Sequence, residues 1–135
     1  MSWQAYVDSS LVGSGHIAKA AIVSAAGDST WAISPNFEVK PDELRTIVAA
    51  LNARGDTDAA PVSKVLEEGI YVNGERYVIT RIEGNHIYAR KLKMGVVIVK
   101  TNQAILIGQY GEDVQAGNAT QTVEALADYL VSSGY

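Results

Sequence analysis

The sequence predicts an α/β domain of the α+β kind, a central antiparallel sheet with helices on both faces. Three observations carry this expectation. From Gly69 onward the chain reads as strands joined by tight turns, a β-meander. Its last two strands, residues 96–100 and 104–108, are apolar almost without alternation, which requires cover on both faces of a sheet. Amphipathic helical stretches before and after the meander are the only segments available to supply that cover.

The elements follow in order. Trp3, Tyr6 and Val7 share one face of a predicted helix over residues 3–12, with Ser2 as its cap and Gly13 and Gly15 ending it. Residues 20–24 and 29–33 read as strands around an Ala26-Gly27-Asp28 turn. Pro41 suits the first position of a second helix, and Asp42 and Glu43 complement its N-terminal dipole. Leu44, Ile47, Val48 and Leu51 then repeat at helical spacing, and Asn52 and Gly55 end the helix. Residues 54–64 read as a polar surface loop. Its Arg54-Gly55-Asp56 triplet spells an adhesion motif, read here as chance because no secretion signal precedes it. Ile70, Tyr71 and Val72 meet residues 75–82 across Asn73-Gly74, a type I′ hairpin signal. Gly84-Asn85 turns into residues 86–90, and a further turn lies near Asn102. A last helix is predicted over residues 119–132, with Asn118 and Gln121 as a capping box and Ala119, Val123, Leu126 and Leu130 as its core stripe.

Composition narrows the function classes. The 135 residues are 47% hydrophobic and 19% charged, which fits one ordered domain over 1–135 rather than a disordered chain. The absence of cysteine excludes disulfides, thiolate metal sites and thiol chemistry, and 2 histidines leave any metal site dependent on carboxylates. A net charge of -4 argues against bulk nucleic-acid binding. The opening residues lack a signal-peptide pattern, and no apolar run approaches the roughly 18 residues of a membrane span. The expectation is a soluble, cytoplasmic domain.

Charge and aromatic residues are unevenly placed. Residues 75–100 hold six basic residues (Arg76, Arg81, Arg90, Lys91, Lys93, Lys100) against Glu75 and Glu83, a net +4, while the remainder nets -8. This basic face suits an acidic protein surface or a phosphorylated lipid head group, or it is a solvated edge blunted against aggregation. Against one Phe stand 2 Trp and 7 Tyr, so most rings carry a polar tip. Side-by-side terminal helices would join Trp3, Tyr6, Tyr129 and Tyr135, with Trp31 on an adjacent strand. Such a cluster either grips a polyproline II helix or simply ties down the chain ends.

Catalytic patterns are thin. No serine sits in a nucleophile elbow, and His16 and His86 read as surface histidines. Asp42-Glu43 and Glu67-Glu68 are sequence neighbours that point apart, and Gly13-Ser14-Gly15 is too short for a phosphate loop. A small hydrolase centred on His86 is the enzyme alternative. No catalytic residue, metal ligand or cofactor site is assigned.

Several of these residues together resemble one family. Ser2-Trp3-Gln4-Ala5-Tyr6-Val7-Asp8, Trp31-Ala32, Gly69-Ile70 leading to Gly74-Glu75-Arg76-Tyr77, and Ala127-Asp128-Tyr129-Leu130 with Tyr135 resemble profilin, end to end. The Ala127–Leu130 ending and the lack of cysteine are more similar to fungal than to animal members. The resemblance implies a profilin-like central antiparallel sheet, with the terminal helices on one face and one or more further helices on the other. It implies a mostly monomeric, non-enzymatic protein of the cytoplasm, cytoskeleton and cell cortex that binds monomeric actin, proline-rich segments of formin-type partners, and phosphoinositides. By position, the proline groove would be Trp3, Tyr6, Trp31, Tyr129 and Tyr135; Tyr129 stands where some relatives have histidine. The actin face would include Arg76, Arg81, Arg90, Val114, Gln115, Gly117, Thr120 and Glu124, with Gln115 where animal members carry histidine. Phosphoinositides would use Arg76, Arg81, Arg90, Lys91 and Lys93. A module of this fold with weak or no actin binding is the alternative implied.

Overall fold

In a computed structural model of the chain, residues 2–53, 56 and 58–135 are described. Seven strands, β1 (Lys19–Ser24), β2 (Thr30–Ile33), β3 (Ile70–Val72), β4 (Glu75–Glu83), β5 (His86–Lys91), β6 (Met94–Lys100) and β7 (Ala104–Tyr110), form one antiparallel sheet in the order β2-β1-β7-β6-β5-β4-β3. The predicted strand ends agree within about two residues.

The unbroken apolar runs are explained by two cores. On one face Val96, Ile98, Ile105 and Ile107 pack with Leu44, Ile47, Leu51 and Val65, which come from helices α2 (Pro41–Asn52) and α3 (Ala60–Glu68). On the other, Val97, Val99, Ala104 and Leu106 pack with Val7, Leu11, Val123, Leu126 and Leu130 from the N-terminal segment and the last helix, α4 (Ala116–Ser132). Strands β6 and β7 therefore bury both sets of alternating side chains.

Three local expectations are corrected. The predicted loop over 54–64 is in part helix α3. Val62 and Val65, three residues apart, are buried, and Pro61 sits in the first turn where its missing N–H costs nothing. Burial, rather than a capping side chain, makes this segment helical. Arg54, Gly55 and Thr57, and with them most of the Arg54-Gly55-Asp56 triplet, lie outside the described residues. Second, α4 starts three residues earlier than predicted, with Gln115 at its N-cap. The Asn118–Gln121 capping box does not form, because the Asn118 N–H already bonds the Gln115 carbonyl at 3.0 Å. Third, the first helix is regular only over α1 (Trp3–Ala5) and then widens into a π-helical turn, Tyr6–Leu11, and a 3₁₀ turn, Val12–Ser14. A Cβ on Gly13 would lie 2.9 Å from the Asp8 carbonyl oxygen, so the wide turn depends on a residue without a side chain there.

The predicted Asn73-Gly74 hairpin is observed, with positive φ at both residues and Val72 paired to Glu75. It is tied to α2 through Glu43, whose carboxylate accepts from the Lys40 N–H at 2.8 Å and the Gly74 N–H at 2.9 Å. Gly69 links α3 to β3 at φ +79° and ψ -175°, a region open almost only to glycine, and a Cβ there would lie 2.5 Å from the Tyr77 carbonyl oxygen. Gly69→Ala is expected to destabilise the protein by roughly 2–3 kcal/mol in urea denaturation.

Burial pushes the Tyr77 phenol up to about 12. Folding thus favours the neutral phenol. Its contribution is complete below the unfolded value near pH 10 and is lost as pH rises toward 12. The urea midpoint should fall over that window, and fall less in Tyr77→Phe.

Candidate functional site

The terminal segments build an aromatic cluster. Ser2 caps α1 by accepting from the Ala5 N–H at 3.2 Å, which starts the helix at Trp3. Gln4 then docks that helix on the exposed edge of β2. Its Nε2 donates to the Ile33 carbonyl at 3.0 Å, and its Oε1 accepts from the Ile33 N–H at 3.4 Å. The side-chain amide completes pairing that the edge strand lacks. This places Trp3 on Trp31, ring centroids 4.7 Å apart.

The other chain end closes on the same place. After Gly134, at φ +96°, the Tyr135 N–H bonds the Leu130 carbonyl at 2.8 Å, and its own carbonyl accepts from Thr101 Oγ1 at 2.9 Å. Its ring meets Trp3 edge-on at 5.1 Å and 85°. Tyr6 lies 5.7 Å from Trp3 and 6.1 Å from Tyr129. All five predicted rings are therefore brought together. Trp3, Tyr6 and Trp31 are half-buried, while Tyr129 and Tyr135 remain 54% and 42% exposed. Hydrogen bonding with Tyr129 raises the Tyr6 phenol above its ordinary value, so the Tyr6 hydroxyl stays protonated and able to donate.

The basic face lies elsewhere on the sheet. Arg76 and Arg81 are an odd number of residues apart, and strict alternation would send them to opposite faces. A bulge at Thr80 prevents this: Ile79 pairs with Ala89 and Arg81 with Tyr88, leaving Thr80 as the extra residue. Arg76, Arg81, Arg90 and Tyr88 thus share the face on which α4 packs. Arg76 is steadied by a bond from its Nε to the Glu68 carbonyl at 2.6 Å, and Arg81 by an ion pair with Glu83.

Beside this face opens a concavity of about 820 Å³, lined by Arg81, His86 and Tyr88 from the strands and Gly117, Thr120 and Glu124 from α4. Tyr88 donates to Glu124 Oε2 at 2.7 Å, and His86 Nδ1 lies 2.8 Å from the same oxygen. The Arg81 guanidinium stands 5.4 Å from the Tyr88 ring centroid. Burial and the Glu124 hydrogen bond raise the Tyr88 phenol far above its ordinary value, so it stays a donor. No serine lines the concavity.

The remaining predicted residues are more dispersed. Val114 packs on the terminal-helix core, and Gln115 serves as the N-cap residue of α4. Lys91 and Lys93 stand at the β5–β6 turn, with Lys91 Nζ 3.7 Å from Glu75. Sequence reasoning missed Gln4, Tyr88 and the Glu124–His86 contact. Gln4 was visible only as part of a motif, and nothing in the sequence places Tyr88 opposite Glu124, 36 residues away. Among the described residues no cluster of metal-ligating side chains occurs, and no helix is long and apolar enough to cross a membrane.

Comparison with known proteins adds to this geometry. The family model described as Profilin matches residues 1–135. Profilin of Schizosaccharomyces pombe is 44% identical, and profilin-A of Physarum polycephalum 47% identical, each over the full length of both chains. A solved S. pombe profilin structure matches with a TM-score of 0.90 at 42% identity, covering 99% of this chain and 100% of the other. At 20% identity, mouse profilin IIa, solved in complex with a double repeat from the FH1 domain of mDia1, shares the fold with a TM-score of 0.78 over 100% of both chains. The chain belongs to the profilin family, whose members are actin-binding regulators of the cytoskeleton.

Proposed function

We propose that this protein binds monomeric actin on its basic face and proline-rich segments, such as those of formins, in its aromatic cluster, and so delivers actin to assembly factors. It does so as a binding protein rather than an enzyme, in the cytoplasm and at the cell cortex. The single observation that carries the reading is the five-ring cluster at the joined chain ends. A polyproline II helix repeats every three residues and has no internal hydrogen bonds, so flat rings fit its ridges and indole or phenol donors reach its carbonyls. The FH1 complex of the mouse relative supports this choice of ligand.

Actin would contact Arg76, Arg81, Arg90, Val114, Gln115, Gly117, Thr120 and Glu124. The concavity between Arg81 and Glu124 supplies both charge signs and several fixed donors. A stable complex needs roughly 1,200–2,000 Å² of total buried area, so the face extends beyond this concavity. Trp31 on β2 and Tyr88 on β5 are four strand spacings apart, roughly 19 Å. That separation supports simultaneous binding of actin and a proline-rich segment. Phosphoinositide head groups would use Arg76, Arg81, Arg90, Lys91 and Lys93 and compete with actin, since all three arginines are common to both sets.

Titrating tryptophan fluorescence with poly-L-proline should give a saturable change, and actin monomers should still bind the saturated complex. An unchanged spectrum together with no retention on a polyproline column would remove the aromatic-site assignment. Binding of poly-L-proline without actin would favour a module that has lost actin binding. Trp3→Ala should weaken proline binding by roughly 2 kcal/mol, with a melting curve to separate lost contact from lost packing. Arg81→Glu should weaken both actin and phosphoinositide binding; an unchanged lipid affinity would assign the lipid to another surface.

A further inference from the structure

The β5–β6 hairpin turns through two residues, Leu92 and Lys93, closed by the Lys91–Met94 pair. Leu92 is 90% exposed, far more than any other large apolar side chain among the described residues. It also holds a φ of +56°, a left-handed conformation that glycine or asparagine adopts readily and a branched side chain does not. Neither packing nor backbone preference accounts for leucine here. Its neighbours are exposed cations: Arg90 at the end of β5, Lys91, and Lys93. The nearest acid is Glu75, 3.7 Å from Lys91.

We infer that this tip is a membrane-contact wedge, in which Leu92 enters the outer acyl region of an anionic bilayer while Arg90, Lys91 and Lys93 hold the surrounding head groups. The inference rests on the phosphoinositide reading and deepens it, because it assigns the partner as an assembled bilayer rather than a free head group. Charge complementarity favours a bilayer: each cation near an anionic surface strengthens attachment roughly fivefold. Shape favours it too. A protein partner needs an extended complementary patch of roughly 800 Å² per side, whereas a bilayer accepts one protruding apolar side chain. Withdrawing a leucine from water strengthens attachment by about tenfold or more.

The test uses the full chain and phosphatidylcholine vesicles containing a minor fraction of phosphatidylinositol bisphosphate. Leu92→Asn relieves the backbone, so its melting temperature should equal or exceed that of the parent. Its vesicle affinity should fall about tenfold, while its affinity for soluble inositol trisphosphate, actin and poly-L-proline stays unchanged. In Leu92→Trp the added emission should shift blue on vesicles and be quenched by brominated acyl chains. Vesicle binding that is equal in Leu92→Asn, with no quenching in Leu92→Trp, overturns the inference and leaves attachment by charge alone. A Leu92→Asn defect confined to actin assigns the tip to a protein interface and overturns it likewise. A parent that binds no vesicles overturns the phosphoinositide reading and the wedge together.

Discussion

Strands β6 and β7 carry apolar side chains on both of their faces, and the rest of the molecule is arranged to cover them. Val96 and Ile98 need one helical layer, and Val97 and Val99 need another. Two strands of this kind at the centre of a seven-stranded sheet force a three-layer arrangement. The helices of one layer come from the middle of the chain. Those of the other come from its two ends, so covering the sheet also brings the termini side by side. The aromatic site is a consequence of that closure, since Trp3 and Tyr6 arrive from one end and Tyr129 and Tyr135 from the other.

Polar contacts of modest size then set the site's geometry. Gln4 pairs its amide with the Ile33 backbone and blunts the β2 edge, while the Tyr135 carbonyl is held by Thr101. Hydrogen bonds of this kind contribute only about 1 kcal/mol each. Their importance lies in register: they decide which rings meet and which hydroxyls remain wet. Rings at the rim of the terminal-helix core are buried against it on one side and open to solvent on the other.

The second surface depends on a different device. The Thr80 bulge turns an odd sequence spacing into a shared face, so Arg76 and Arg81 stand together and Arg81 stacks near Tyr88. The Glu124 carboxylate from α4 accepts from Tyr88 and lies within reach of His86, which fixes the concavity between helix and strands. Trp31 of the aromatic cluster and Tyr88 of the second surface stand on strands of one hydrogen-bonded sheet, so their separation is set by strand spacing rather than by a flexible link.

Much of this was readable in the residues alone. The apolar runs at 96–99 and 104–107 demanded a sheet covered twice, the Asn73-Gly74 pair specified its hairpin through positive φ, and the Pro41 helix carried its own start signal and stripe. The aromatic residues could be assembled in advance because a terminal motif and a helical stripe together determine which face is buried. Helix α3 was not legible, since residues 54–64 read as polar and only contact of Val65 with the sheet's core makes a helix of the adjoining segment. The onset of α4, the π-helical widening after Ala5 and the meeting of Tyr88 with Glu124 were hidden for the same reason. Local patterns state which side chains must leave water and which backbone angles are open. Where two segments distant in sequence compete for the same space or the same hydrogen bond, only the tertiary packing decides.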